Sequence, residues 1–380
     1  MSPKHVIKMC AGLGLWLAAT LALADSGVDD KTIVLGQSAA LSGPAAQLGT
    51  AMRDGALAYF DAINANGGVY GRQIVLKTLD DGYDPARAGT NTGALVDKEK
   101  VFALFGYVGT PTSNAAQSWV DKQGVPFFAP VTGAQTLREP FNKNVFNIRD
   151  SYFDETEKIV EHLQAIGVKQ IAVFYQNDAY GKAGLEGVER ALKKRKLEVA
   201  ATATVERNST DVAAAVAKMK AANPRAVIMV SAYKSCAAFI RAMQKAGGSL
   251  PYFWNISFVG SLALSEELGA AGRGVMVSQV MPNPWNDKLN IVKEYRSLYL
   301  AKPGRQPDYV SLEGFIAAKV FVEGLRHVKG PVTREAFAHA LETMGEYDLG
   351  GYTVKFGSRN HNGSDFVDLT IITSGGKFMY

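Results

Sequence analysis

Cysteine is nearly absent from this chain of 380 residues: only Cys10 and Cys236 occur. Cys10 stands before an apolar run that reads as a removable leader, so one thiol remains and no intrachain disulfide can form. A single cysteine inside a predicted helix (233–246) reads as a small core residue. Metal-ligand spacing is missing as well. Beyond the leader the histidines are His162, His327, His339 and His361. None sits at ligand spacing from another, and each reads as a surface or helix-end residue. There is no G-x-S-x-G elbow, no P-loop and no H-E-x-x-H helix, so an enzyme has little support and no cofactor or metal is expected. A basic stripe with interleaved aromatics is also lacking, which argues against nucleic acid. The densest basic run, Lys193 to Lys196, ends a predicted helix, where cations suit the dipole. No apolar run after the leader approaches the roughly 18 residues a membrane helix needs.

What the chain does have is a large supply of core. Hydrophobic residues make up 47% of it, and 41 basic residues stand against 36 acidic ones for a formal charge of +5. Such a length favours about two domains. At the N-terminus, Lys4, His5 and Lys8 precede an apolar run from Ala11 to Leu23, and Ala22-Leu23-Ala24 fits a small-x-small cleavage pattern. Residues 1–24 therefore read as a signal peptide. Its loss removes Lys4 and Lys8 and lowers the charge by two. The mature chain is expected to be exported and soluble.

After the leader, strand and helix patterns alternate. Strands are expected at 32–41, 72–79, 101–105 and 125–130, with helices between them. The chain changes character at 144–150, with Asp150 or Ser151 capping a new helix. Alternation then restarts: strands at 169–175, 197–205, 226–231 and 252–256, and helices at 180–195, 209–222 (capped by Ser209 or Thr210) and 233–246. Three helices follow Met281-Pro282-Asn283-Pro284, and the chain closes with strand-like runs at 350–356 and 365–372. Strand–helix alternation is the signature of parallel sheets with right-handed crossovers. Two modules of similar size predict two doubly wound α/β lobes. The helices after Pro282 are too few for a third domain and complete the first lobe. The expected division is 25–148 with 281–354 for one lobe and 149–280 with 355–380 for the other. Three crossings, near 149, 281 and 355, would join them.

Ligands of such sheets sit beyond the carboxyl ends of the strands. The stretch Leu104 to Ala116 is the most suggestive: a buried strand, Gly106 and Gly109, then hydroxyls at Thr110, Thr112 and Ser113. It is either a tight connection or a seat for a carboxylate at a helix start. Further candidates follow other strands: Val131-Thr132-Gly133, Tyr180, Tyr233 and Ser257. The tyrosines either cap helices against the sheet or close over a ligand. Asp80-Asp81 reads as a solvated turn.

Taken in order, LSGPAAQLG at 41–49, INANGGVYGRQIVL at 63–76, DDGYDP at 80–85, GYVGTPTSNAA at 106–116, QNDAYG at 176–181 and DFVDLTI at 365–371 form a pattern. With it the chain resembles the periplasmic substrate-binding proteins of ABC importers, of the leucine/isoleucine/valine-binding type. The resemblance implies a type I fold: two lobes, three hinge crossings and clamshell closure on a small-molecule ligand. It implies a monomer in the periplasm that delivers its ligand to an inner-membrane ABC permease complex. It also implies a site. Thr110 and the groups around Val131, Thr132 and Gly133 would hold a ligand carboxylate. Tyr180 and Tyr233 would pack on the ligand, and Leu48 and Tyr309 (an aromatic near the third hinge) would line the side-chain pocket. Amino-acid binders of the family carry an acid at the position of Ser257 to meet the ligand ammonium. The serine here, with Asp178 or Glu313 as substitute acids, leaves open a branched-chain amino acid, an organic acid or an amide. A sensory module of the same fold and a cleft hydrolase are the alternatives.

Overall fold

The computed structural model describes residues 26–379. The leader assigned to 1–24 lies outside the described residues. The first half runs β1 (Thr32–Ala39), α1 (Ala46–Ala65), β2 (Gln73–Asp80), α2 (Pro85–Gly93) with a π-helical extension, β3 (Ala103–Phe105), α3 (Thr110–Asn114), α4 (Gln117–Gln123), β4 (Phe127–Phe128) and β5 (Val145–Phe146). All five strands are parallel, in the order β2-β1-β3-β4-β5, with Val34 opposite Val75, Leu35 opposite Ala103 and Leu104 opposite Phe127. Ala103, Leu104 and Phe105 are completely buried, as a strand covered on both faces requires.

The second half runs α5 (Tyr152–Ala165), β6 (Ile171–Gln176), α6 (Ala179–Lys193), β7 (Thr202–Val205), α7 (Ala213–Ala222), β8 (Ala226–Val230), α8 (Tyr233–Lys245), β9 (Tyr252–Asn255), α9 (Ser261–Leu268) and β10 (Met276–Gln279). Its strands stand in the order β7-β6-β8-β9-β10, so the first sheet's order recurs. After α10 (Asn290–Tyr299), α11 (Tyr309–Arg326), α12 (Arg334–Thr343), β11 (Glu346–Asp348) and β12 (Thr353–Lys355), the chain returns to this sheet. There β13 (Asp368–Ile372) pairs antiparallel with β10, and β14 (Phe378–Met379) with β13.

The late helices cover the first sheet. Gly55 and Gly314 let α1 and α11 touch backbone to backbone: a Cβ on Gly55 would stand 1.9 Å from the Ser311 carbonyl oxygen, and one on Gly314 would stand 2.2 Å from that of Met52. Tyr59 meets Phe315 edge-on at 5.2 Å. The chain thus passes between the layers of the two sheets three times, after β5, after β10 and after β12. Among the described residues no helix is long and apolar enough to cross a membrane.

Several expectations are corrected. The strand at 197–205 shrinks to β7, and the helix expected from 209 starts at Ala213 with no side-chain cap, because the Ser209 hydroxyl accepts from Asp211 N instead. Ser151, not Asp150, caps α5. The run expected at 350–356 shortens to β12, and its partner β11 has no counterpart in the sequence reading, since Glu346-Tyr347-Asp348 has no apolar alternation. His361 is not at the surface: it is buried, stacked on Phe146 at 3.8 Å, with its two ring nitrogens on the Val145 carbonyl and the Glu342 carboxylate. Cys236 is a buried core residue, as expected.

Candidate functional site

Strand order reverses between β1 and β3 in one sheet and between β6 and β8 in the other. Beyond the carboxyl ends of strands at such reversals lies the natural crevice of an α/β sheet. Leu48 follows β1, Thr110 follows β3, Tyr180 follows β6 and Tyr233 follows β8. Val131-Thr132-Gly133 follows β4, and Ser257 follows β9.

On the first sheet Gly109, at φ +103°, turns the chain into α3. That helix is one turn of five residues, so the dipole expected to favour a carboxylate there is small. What the turn does present is hydroxyl. Thr110 Oγ1 lies 2.6 Å from Thr132 Oγ1, both residues are completely buried, and Ser113 Oγ is buried without a hydrogen-bond partner. The neighbouring backbone is largely committed. Val131 N donates to Tyr107 O, Val131 O accepts from Gly109 N, Thr132 N donates to Pro130 O, and Gly133 O accepts from Tyr152 N. Side-chain hydroxyls rather than these amides are therefore the polar groups on offer.

Rings from the second half close over this turn. Tyr180 stands 5.5 Å from Tyr152 and 4.6 Å from Phe258, centroid to centroid. Phe258 in turn stacks on Tyr83 at 6.0 Å, and the Tyr83 ring lies against Gly109, where a Cβ would come within 2.5 Å of it. Asp178 positions Tyr180 by capping α6, accepting from Tyr180 N at 2.9 Å and Gly181 N at 3.2 Å. The Tyr180 hydroxyl is buried with no hydrogen-bond partner. Burial, with Tyr152 and Tyr83 nearby, pushes its pKa well above the ordinary value, so it stays a neutral donor. An unmet buried hydroxyl costs about 1–3 kcal/mol, which a polar ligand atom would recover.

Ser257 faces an acid that sequence reasoning missed. Its N–H donates to Glu155 Oε2 at 2.7 Å and its hydroxyl to Oε1 at 2.9 Å, and the Ser278 hydroxyl donates to Oε2. Glu155 is completely buried; burial pushes its pKa up, against the pull of Arg149 and the serine donors. The acids proposed as substitutes are engaged elsewhere. Glu313 takes the fork of Arg149 at 2.9 and 3.0 Å, and Asp178 pairs with Arg207 at 2.5 Å. Asp81 is not solvated: it is completely buried, holds the Ser38 hydroxyl at 2.7 Å and Tyr83 N at 2.8 Å, and is raised by burial to about 6.

The remaining candidates lie to one side. Leu48 packs onto Gly260, and a cavity of about 330 Å³ opens beside them between α1, α9 and the segment before α11. Tyr233 opens α8 and is buried, which raises its pKa. Tyr309 opens α11. It packs on Trp285, just past the second crossing, and on Phe378 of β14, at 5.7 and 5.9 Å. Its neighbours Asp308 and Val310, rather than its own ring, line the cavity beside Leu48.

This arrangement has close counterparts among known proteins. The chain is 27% identical over 377 residues to the Leu/Ile/Val-binding protein homolog 7 of Brucella abortus (strain 2308), an alignment covering 94% of this chain and 92% of that one. A possible leucine/isoleucine/valine-binding protein from Rhodopirellula baltica SH 1 superposes with a TM-score of 0.88 at 36% identity, covering 93% of this chain and 97% of the other. A substrate-binding periplasmic protein from Ralstonia solanacearum superposes with a TM-score of 0.85 at 33% identity, covering 91% and 99%. The sequence profile described as "Periplasmic binding protein" matches residues 32–377. The chain belongs to the periplasmic binding protein family, of the type that includes the Leu/Ile/Val-binding proteins.

Proposed function

We propose that the protein is the exported receptor of an ABC importer. It captures one small solute between the two sheets and performs no covalent chemistry on it. Residues 1–24 are the cleaved signal peptide, and the mature chain works in the periplasm as a monomer. The lobes are 25–148 with 281–354 and 149–280 with 355–380, and closure presents a surface to the inner-membrane permease. The observation that carries this reading is the Tyr180 hydroxyl. It is buried and unpartnered near the start of α6, which packs against α3, the turn that begins at Thr110.

In this reading Thr110, Thr132 and Tyr180 hold a carboxylate or amide oxygen. Tyr83, Tyr152 and Phe258 enclose the body of the ligand, and Leu48 and Tyr233 bound its outer end. Val131, its N–H already given to Tyr107, shapes the wall, and the Gly133 N–H is a further donor beside the hydroxyls. Glu155, held by Ser257, supplies an acid beside the position where amino-acid binders carry one. A branched-chain amino acid is therefore compatible with a serine at 257, and the names of the curated relatives favour it. The test is a thermal-shift screen of the mature protein against amino acids, aliphatic acids, aromatic acids and amides. A ligand that binds only the native state raises the melting temperature. A hit among them is expected, and no shift with any of them would overturn the reading.

A further inference from the structure

The loop from Asp80 to Tyr83 reaches from the first sheet to side chains of the second half. Tyr83 is completely buried although it follows an exposed-looking run of acids and glycine. Its backbone is left-handed, at φ +63°, a conformation bulky residues rarely hold unless their surroundings fix them. Those surroundings lie across the cleft. Phe258 stacks on the ring, and Gln176 Nε2 reaches the hydroxyl at 3.4 Å. The Arg207 guanidinium sits 5.2 Å from the ring centroid and donates through Nη1 to the Tyr83 carbonyl at 3.2 Å. Asn208 donates to the Gly82 carbonyl at 3.0 Å.

Arg207 has a second hold. Its Nη2 binds Asp178, the residue that caps α6 and positions Tyr180. One guanidinium therefore ties the lid over Gly109 to the helix start that carries the ligand-facing tyrosine. A planar fork can serve two acceptors on different elements in this way, whereas a lysine point charge cannot.

We infer that Arg207 is a positioning residue for ligand capture: it latches the Tyr83 loop against the second lobe and sets the balance of open and closed forms. The inference rests on the reading of the two sheets as lobes that part and close. The bonds from Arg207, Asn208 and Gln176 to Gly82 and Tyr83 join one half to the other, so opening must break them together. The left-handed Tyr83 backbone is held from both sides, its N–H by Asp81 and its carbonyl by Arg207. Closure is then favoured by contacts that touch no ligand, and weakening them lowers affinity through the competent fraction alone.

The test is a distance distribution by double electron–electron resonance on ligand-free mature protein. Spin labels are placed at the exposed positions Lys122→Cys on α4 and Lys218→Cys on α7. In the otherwise wild-type chain a short-distance population is expected beside a longer one. Arg207→Ala should move most of the short population to the long distance, and affinity for a ligand found by screening should fall on the order of tenfold. Arg207→Lys should rescue only part of the shift. If Arg207→Ala does not fold, Asn208→Ala, at the exposed rim of the same latch, should give a smaller shift in the same direction. Two populations whose ratio no latch variant changes would overturn the latch and leave the receptor reading standing. One narrow distance in every variant, insensitive to any ligand, would overturn the opening of the lobes and the latch with it.

Discussion

The two halves share one strand order, yet they bring different chemistry to the cleft. The first sheet ends in small hydroxyl residues: Thr110, Thr132 and Ser113 around a glycine turn. The second ends in rings: Tyr180, Tyr233 and Phe258, with Tyr152 on the helix that leads in. Each half also buries one acid behind its strand ends and holds it with serine. Asp81 is held by Ser38, and Glu155 by Ser257 and Ser278. A repeated topology thus fixes where a ligand can sit, and the residues at each strand end decide what each wall contributes. The hydroxyl wall offers directional hydrogen bonds, and the ring wall offers area and closure.

The strongest way to break this division is at the join. Arg149→Met leaves Glu313 buried and unpaired, and should cost roughly 3–5 kcal/mol of folding stability by urea titration. A loss under 1 kcal/mol would mean that the ion pair does not hold the first crossing in place. The hydroxyl wall is tested by Thr110→Val. With a carboxylate ligand, calorimetry should find binding weaker by about 1–3 kcal/mol, because a charged acceptor loses a donor.

Asp81→Asn sharpens the comparison of the two buried acids. The folded pKa of Asp81, about 6, lies above its ordinary value of 3.8. Between those values the native state keeps a proton that the unfolded chain has released. Stability from this group is therefore full below the lower value and falls as pH rises through the window, by on the order of 3 kcal/mol. The asparagine variant should flatten that fall in unfolding titrations between pH 4 and 7; an unaltered slope would show that Asp81 is not its source. The smallest effect is expected from Tyr180→Phe. The free protein should be no less stable, since the hydroxyl has no partner, while ligand binding weakens by about 0.5–1.5 kcal/mol. Weaker folding with unchanged binding would return Tyr180 to a packing role.

Much of this was legible in the sequence because it was local. Apolar runs such as Leu104-Phe105 and Ile171 to Phe174 mark buried strands whatever they pair with, and Gly67-Gly68 and Gly247-Gly248 stop helices by backbone freedom alone. The strand-end hydroxyls and tyrosines could be singled out for the same reason. What escaped depends on partners far along the chain. Glu155 looks like an exposed acid in the first turn of a helix, and only Ser257 and Ser278, 102 and 123 residues away, bury it. Tyr83 sits in a polar turn and becomes a buried lid only through Arg207, 124 residues on. Tyr309 likewise meets rings that its own stretch does not announce, Trp285 and Phe378.

The most direct test of the central claim is calorimetric titration of L-isoleucine and benzoate into the mature protein and into the double variant Thr110→Val, Tyr180→Phe. The account predicts that at least one of them binds the wild type and that the double variant, still folded, binds it at least tenfold more weakly, a difference of about 1.4 kcal/mol. Equal affinity in the two proteins, or no binding of either molecule to the wild type, would contradict a carboxylate site between these two strand ends.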